Sequence, residues 1–210
     1  MTTPRDLMFV ALDAATGNAD DMETGRPLEW GDVSLALAGA ELIDLLGLEA
    51  VRLDDDRLVP GMRPALADHL LDEAASSLVR QTPYESVDDW LWRRGRGLAT
   101  AYPTALEAEG QLTRRRSRLP LRTGRTVPAD SAAHRRAADR WAAHDPVLTA
   151  LAAAAGIDDP HATAPPDVAD DAVATVLAAV NDAVRELEAV RQRRAIERAA
   201  FDNIWRGDGQ

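Results

Sequence analysis

The residues best equipped for chemistry in this 210-residue chain are arginines. All 24 basic residues are Arg and none is Lys. A guanidinium stays charged at every working pH and grips phosphate or carboxylate through two parallel hydrogen bonds. Arg114, Arg115, Arg116, Arg118, Arg122 and Arg125 crowd into one short segment. From Gln111 to Arg140 there are nine Arg against Asp130 and Asp139, a net +7 within a chain of net charge -11, so the remainder carries -18. A basic island on an acidic body marks one place for an anionic partner. Leu119 and Leu121, set among these arginines, are suited to dip into an anionic bilayer surface, where nearby basic residues contribute about 1 kcal/mol each. The same arginines suit an acidic face of another subunit equally, and a solvated loop answering the acidic body is the plainest reading.

Other chemistry is poorly supported. His69, His134, His144 and His161 have no second metal ligand at helical or finger spacing. There is no Cys, which excludes thiolate sites, cysteine nucleophiles and disulfides. No nucleophile elbow, phosphate loop or dinucleotide fingerprint occurs, and Gly95-Arg96-Gly97 reads as a turn between helices. Asp54-Asp55-Asp56 lacks the alternating ligands of a calcium loop. Asp20-Asp21, Asp88-Asp89 and Asp170-Asp171 fall at helix starts or loops, where acids complement the helix dipole. The expectation is a protein without catalytic residues, metal or cofactor. The arginines lack interleaved aromatics and the acidic remainder repels a long polyanion, so nucleic acid is not an expected partner.

The element that must position the rest is Val33 to Leu48, the most concentrated apolar stretch. Leu35, Ala38, Leu42, Ile43, Leu45 and Leu46 recur at helical spacing, predicting a central helix with a wide buried stripe. Asp32 is its expected cap and Gly47 its expected left-handed end. Glu41 and Asp44 are expected on its wet side. Gly39 within the stripe predicts close approach of another backbone. Ahead of it, Thr3-Pro4-Arg5-Asp6 reads as a capping-box start of a helix to about Leu12, with a turn at Asp13 to Gly17 and a polar surface loop at Asn18 to Glu29. Beyond it come a hairpin with Asp54 to Asp56 at its tip, an amphipathic helix Pro64 to Arg80, and a helix from Val87 to Arg94 started by Ser86 and Asp89. A helix Leu98 to Glu109 ends at Gly110, and a hairpin or extended loop spans 112–127. A helix follows at Ser131 to Ala143, then another opened by Asp145-Pro146. A linker at 157–167 precedes a long final helix capped by Asp167 that breaks before Phe201. Arg5, Asp6 and Asp13 interrupt the first apolar run, so no signal peptide is expected, and no apolar stretch is long enough to span a bilayer.

Three stretches, read in order, resemble the Golgi phosphoprotein 3 family. Leu7-Met8-Phe9-Val10-Ala11-Leu12-Asp13 with Gly17 is similar to the family's opening motif. Leu37-Ala38-Gly39-Ala40-Glu41-Leu42-Ile43-Asp44-Leu45 is similar to its L-R-G-x-x-L-I-E-L. Val87-Asp88-Asp89-Trp90-Leu91 and Glu109-Gly110-Gln111-Leu112-Thr113 are similar to its V-x-x-W-I and E-K-G-V-L-T. The resemblance implies a mainly α single domain over 1–210 with one or two small β-hairpins, one of them, in the 111–127 region, projecting. It implies a non-enzymatic peripheral membrane adaptor that contacts anionic phospholipid, phosphatidylinositol 4-phosphate among them, and self-associates through that hairpin; a protein-interaction module without lipid binding is the alternative. The implied location is cytoplasmic and peripheral at the inner face of the membrane. The all-Arg, Ala-rich composition fits a bacterial, actinobacterial-type member. The family's headgroup pocket draws on a Trp just before the central helix, an Arg within it and an Arg pair ahead of the E-K-G stretch. Here these map to Trp30, displaced by one position, to Ala38, and to Arg96 with Ala99, so one cation of three is kept.

Overall fold

The computed structural model describes residues 2–17, 28–115, 125–159 and 168–207. The described elements run α1 (Thr3–Gly17), α2 (Trp30–Gly47), β1 (Val51–Asp54), β2 (Arg57–Pro60), α3 (His69–Ser77), α4 (Val87–Arg94), α5 (Leu98–Ala108), β3 (Leu112–Arg115), β4 (Arg125–Pro128), α6 (Ala132–Ala142), α7 (Pro146–Ala154) and α8 (Asp171–Gly207). The protein is mainly α, with two antiparallel two-stranded hairpins.

The central position of α2 follows from its sequence. Leu37, Ala38, Ala40, Leu42 and Leu45 are fully buried on nearly every side of the helix, as expected of a helix apolar all round. α1, α4, α5, α7 and α8 all pack against it. Gly39 faces α8. A Cβ there would lie 2.4 Å from Val180 Cγ2 and 3.5 Å from Leu151 Cδ2. The close approach expected at Gly39 is therefore made by a branched side chain rather than by another backbone.

Other boundaries move for identifiable reasons. Thr3 does not cap α1 with its side chain. It lies inside the helix, and its amide donates to Asp44 Oδ2 of α2 at 2.8 Å. Asp6 bonds Arg140 at 3.0 Å instead of closing a capping box. With its start tied to α2, α1 continues to Gly17, through the segment from Asp13 expected as a turn. α2 begins at Trp30 after Glu29, without a side-chain cap; Asp32, the expected cap, lies inside the first turn and is engaged by Arg191 at 2.8 Å. The left-handed residue after α2 is Glu49 and not Gly47.

α3 starts at His69, five residues after Pro64, because Asp68 accepts from the Leu70 and Leu71 amides at 3.0 and 3.2 Å. α8 starts after Asp170, whose carboxylate accepts from the Val173 amide at 3.0 Å. α8 runs unbroken through Phe201 to Gly207. Asp167, the expected cap, lies outside the described residues, as do residues 160–167 of the linker and 18–27 of the polar loop.

Several expectations hold. Ser86 and Asp89 form the capping box of α4. Asp145 caps α7, with Pro146 in its first turn. β1 and β2 pair Val51 with Pro60 through Asp54 with Arg57, turning on Asp55 at φ 53°. β3 and β4 pair Leu112 with Pro128 through Arg115 with Arg125.

Candidate functional site: a basic hairpin and the opposite end of α2

The hairpin grows from the end of α5. Gly110 takes a left-handed φ of 70°, a conformation that costs glycine nothing. The Gln111 amide then closes back on the Leu106 carbonyl at 2.8 Å, and the Ala129 amide donates to the Gln111 carbonyl at 2.8 Å. Buried Leu112 pins the base. Above this base the register sets Arg114 opposite Thr126 and Arg115 opposite Arg125. Like charges directly opposite one another destabilise a strand pair. The sequence between Gln111 and Ala129 contains no acid to offset them. Arg116, Arg118, Leu119, Leu121 and Arg122 lie outside the described residues.

Trp30 and Arg96 belong to a different place. α5 begins against the first turns of α2, where the Ala99 amide donates to Ser34 Oγ at 3.0 Å. Gly95 lies so close to α2 that a Cβ would come 3.3 Å from Leu35 Cδ2 and 3.4 Å from the Ser34 carbonyl. Arg96 is thus held in a turn beside Ser34, one helical turn from Trp30. Both are exposed, Trp30 by 42%. α5 then runs toward the other end of α2. Glu109, just after it, takes two bonds from Arg5 of α1 at 2.5 and 2.8 Å, two residues from the Thr3 held by Asp44. Ser34 and Asp44 are ten residues apart, about 15 Å along the helix. The structure therefore sets the turn holding Arg96 against Ser34 in the first half of α2, the helix that Trp30 opens, and leaves the hairpin base at its other end.

Position 38 is not part of the exposed surface. Ala38 is fully buried, and its carbonyl accepts a hydrogen bond from Trp90 Nε1 at 3.2 Å. Trp90 is itself fully buried.

Beside it lies a polar cluster that amphipathic periodicity hid. Glu41, expected on a wet face, is fully buried. It receives two bonds from Arg94 at 2.7 and 3.0 Å and one from the Tyr102 hydroxyl at 2.9 Å. Arg94 also donates to Glu73 and to the Leu70 carbonyl, both at 3.0 Å. Burial pushes the Glu41 carboxyl above its ordinary value, opposed by Arg94 and Tyr102. Burial beside that carboxylate likewise pushes the Tyr102 hydroxyl up. The cluster has every carboxylate oxygen of Glu41 engaged, so it ties α2, α3, α4 and α5 together rather than presenting a reactive group.

Two of the histidines are similarly committed. His134 meets Asp13 at 2.8 Å and tilts against Phe9, and His144 meets Asp159 at 2.7 Å. His69 is exposed at the start of α3, and His161 lies outside the described residues. Among the described residues no group of three or more His, Asp or Glu is placed to hold a metal ion, and no helix is long and apolar enough to cross a membrane.

A helical domain built around one buried helix, with an arginine-rich two-stranded hairpin following α5, is the class of fold these elements define. The family model for Golgi phosphoprotein 3 (GPP34) matches residues 4–198, and the chain belongs to that family. No curated protein matches the chain.

Proposed function

We propose that this protein is a non-enzymatic peripheral membrane adaptor that contacts anionic phospholipid headgroups through the basic hairpin. One observation carries the reading. The β3–β4 register sets Arg115 against Arg125, in a segment with six arginines and no acid. Such a pairing is unfavourable alone and becomes favourable once anions occupy the face, each guanidinium offering phosphate a two-pronged contact. Leu119 and Leu121 supply the apolar residues for shallow insertion, and the arginines draw the segment toward an anionic leaflet. The expected location is cytoplasmic, at the inner face of the membrane.

The family's headgroup pocket is a weaker route to the same ligand. Trp30 opens α2 and Arg96 lies in the turn before α5, but the third position is Ala38, sealed in the core, and the fourth is Ala99. Two cations fewer means several charge-assisted hydrogen bonds fewer, each about 1.5–3 kcal/mol. The hairpin therefore makes the main contact, selecting negative charge over any one headgroup such as phosphatidylinositol 4-phosphate.

Co-sedimentation with vesicles tests this. Binding is expected to vesicles rich in anionic lipid and not to neutral ones, to fall steeply with salt, and to disappear in Arg114→Glu/Arg115→Glu/Arg116→Glu. Equal, negligible binding to both vesicle types sinks the proposal. If the triple variant instead changes mass in light scattering while vesicle binding is absent throughout, the hairpin is a self-assembly element.

A further inference from the structure

The end of α2 away from Trp30 opens on a cavity of about 810 Å³. The chain between β2 and α3 helps to make it. Asp68 caps α3, so that helix starts only at His69, and residues 61–68 run past the end of α2 as irregular chain. Three arginines hold this segment in place. Arg80 donates to the Gly61 carbonyl at 3.3 Å, Arg63 grips Asp72 at 2.9 and 3.0 Å, and Arg5 bonds Asp68. Leu66 of this segment forms one wall of the cavity. Phe9 of α1, Ile43 of α2, Leu71 of α3 and Leu106 of α5 form the others. Leu48, 46% exposed, also lines it, so the cavity is open to solvent there. Its size is that of a site for a small organic ligand, and walls of this apolar kind are usual in such sites.

The charged groups of the cavity are Arg5, Asp44, Asp68, Glu109 and Arg136. Three carboxylates against two guanidiniums leave a net charge of -1. Much of this charge is already committed within the protein. Arg5 spans Asp68 and Glu109, bonding the latter at 2.5 and 2.8 Å. Asp44 holds the Thr3 amide at 2.8 Å. Gln111 is different. It lines the cavity, and its side-chain oxygen is buried with no hydrogen-bond partner among the described residues. A buried acceptor without a donor is costly, and its presence in a cavity wall points to a donor that comes from outside the chain.

We infer that the cavity at the end of α2 binds an uncharged, largely apolar molecule carrying a hydroxyl or amide N–H, and that this donor pairs with the Gln111 side chain. The walls from α1, α2, α3 and α5 take the apolar body. Asp44 and Glu109 offer further acceptors to a donating head. An anionic head meets three carboxylates, and the guanidinium of Arg5 is already shared between two of them. The charge preference is therefore the reverse of that of the hairpin. The two places are joined through Gln111, whose main chain closes the hairpin base on Leu106 and Ala129. Lipid contact at the hairpin is not required for binding in the cavity.

Isothermal titration calorimetry of the full chain with monodecanoylglycerol, below the concentration at which it forms micelles, tests the site. One molecule is expected to bind per chain, with a negative heat-capacity change from burial of its tail. Decanoate at neutral pH, which has the same tail and a charged head, is expected to bind at least about tenfold more weakly. Ala67→Trp, at an exposed position lining the cavity, is expected to abolish binding while leaving the circular dichroism melt unchanged. Gln111→Leu keeps the shape and removes the acceptor, and is expected to weaken binding by about three- to tenfold. Absence of saturable binding overturns the inference, as does decanoate binding as tightly as the glyceride. Binding that survives Ala67→Trp places the ligand elsewhere and overturns it, and binding unchanged in Gln111→Leu removes the donor contact on which it rests. A chain that is dimeric in light scattering and becomes monomeric in Ala67→Trp makes the cavity a contact between copies and overturns it as well.

Discussion

Glu41 of α2 and Arg94 of α4 form a two-pronged ion pair inside the core, with Arg94 Nε and Nη2 at 2.7 and 3.0 Å from the two carboxylate oxygens. Removing one partner strands the other. Arg94→Ala is expected to destabilise the protein by about 3–5 kcal/mol, because it leaves a buried carboxylate unpaired. Tyr102→Phe removes one hydrogen bond to the same carboxylate and is expected to cost less, about 1.5–3 kcal/mol. Urea unfolding of both variants checks the order. In the double variant with Glu41→Gln, the loss from Arg94→Ala should shrink, since the stranded charge is gone.

That pair also shows where sequence reasoning reaches and where it stops. The helices are legible from periodicity, caps and glycines. Ser86 with Asp89, Asp145 with Pro146, and Gly110 each act locally, so a few neighbouring residues suffice to read them. Glu41 and Asp44 sit three apart on a helix and read as a solvent face, yet Glu41 is buried and Asp44 captures the amide of Thr3. Their partners, Arg94 and Thr3, are distant in the chain, and a periodic pattern carries no information about them. The arginine hairpin is visible as a charge run. The separation of Trp30 and Arg96 from that hairpin is not, because it depends on the direction in which α5 crosses α2.

Gly39 is required by packing and not by its backbone conformation. Gly39→Ala would gain about 1 kcal/mol of helix propensity, but its Cβ would fall 2.4 Å from Val180 Cγ2. Overpacking of a filled core costs about 1–3 kcal/mol. The expected outcome is a net loss of stability in thermal unfolding. Val180→Ala opens the needed space, so Gly39→Ala should be less harmful, or stabilising, on that background.

Asp145 links pH to stability at the start of α7. Burial works against its ionisation, but the Arg140 guanidinium and the Leu148 amide more than offset it and hold the carboxyl below its ordinary value of 3.8. A depressed folded-state pKa stabilises the fold above the unfolded value, and that contribution fades as pH falls through the folded value. Asp145→Asn keeps a capping side chain but removes the charge. It is expected to cost about 1 kcal/mol at neutral pH. The melting temperatures of variant and wild type should converge as pH is lowered below 3.8. A gap that stays constant down to acid pH would show that the charge contributes nothing.

Ala38 gives the sharpest test of how this chain departs from the family's pocket. Restoring the arginine that the resemblance places there looks like a gain of one phosphate ligand. The structure predicts the opposite. Ala38 is fully buried beneath Trp90, whose indole N–H is bonded to the Ala38 carbonyl at 3.2 Å. A guanidinium introduced at that depth has no carboxylate reserved for it, since Glu41 is already held by Arg94 and Tyr102. Ala38→Arg is therefore expected to destabilise the fold by about 3–5 kcal/mol, as an unpaired buried charge does, through displacement of Trp90. Intrinsic tryptophan fluorescence and urea unfolding read that displacement directly. Vesicle binding by the fraction that remains folded should not exceed that of the wild type. A stable variant with stronger binding to anionic vesicles would mean that the surface at α2 opens to a headgroup, and that the hairpin is not the principal contact.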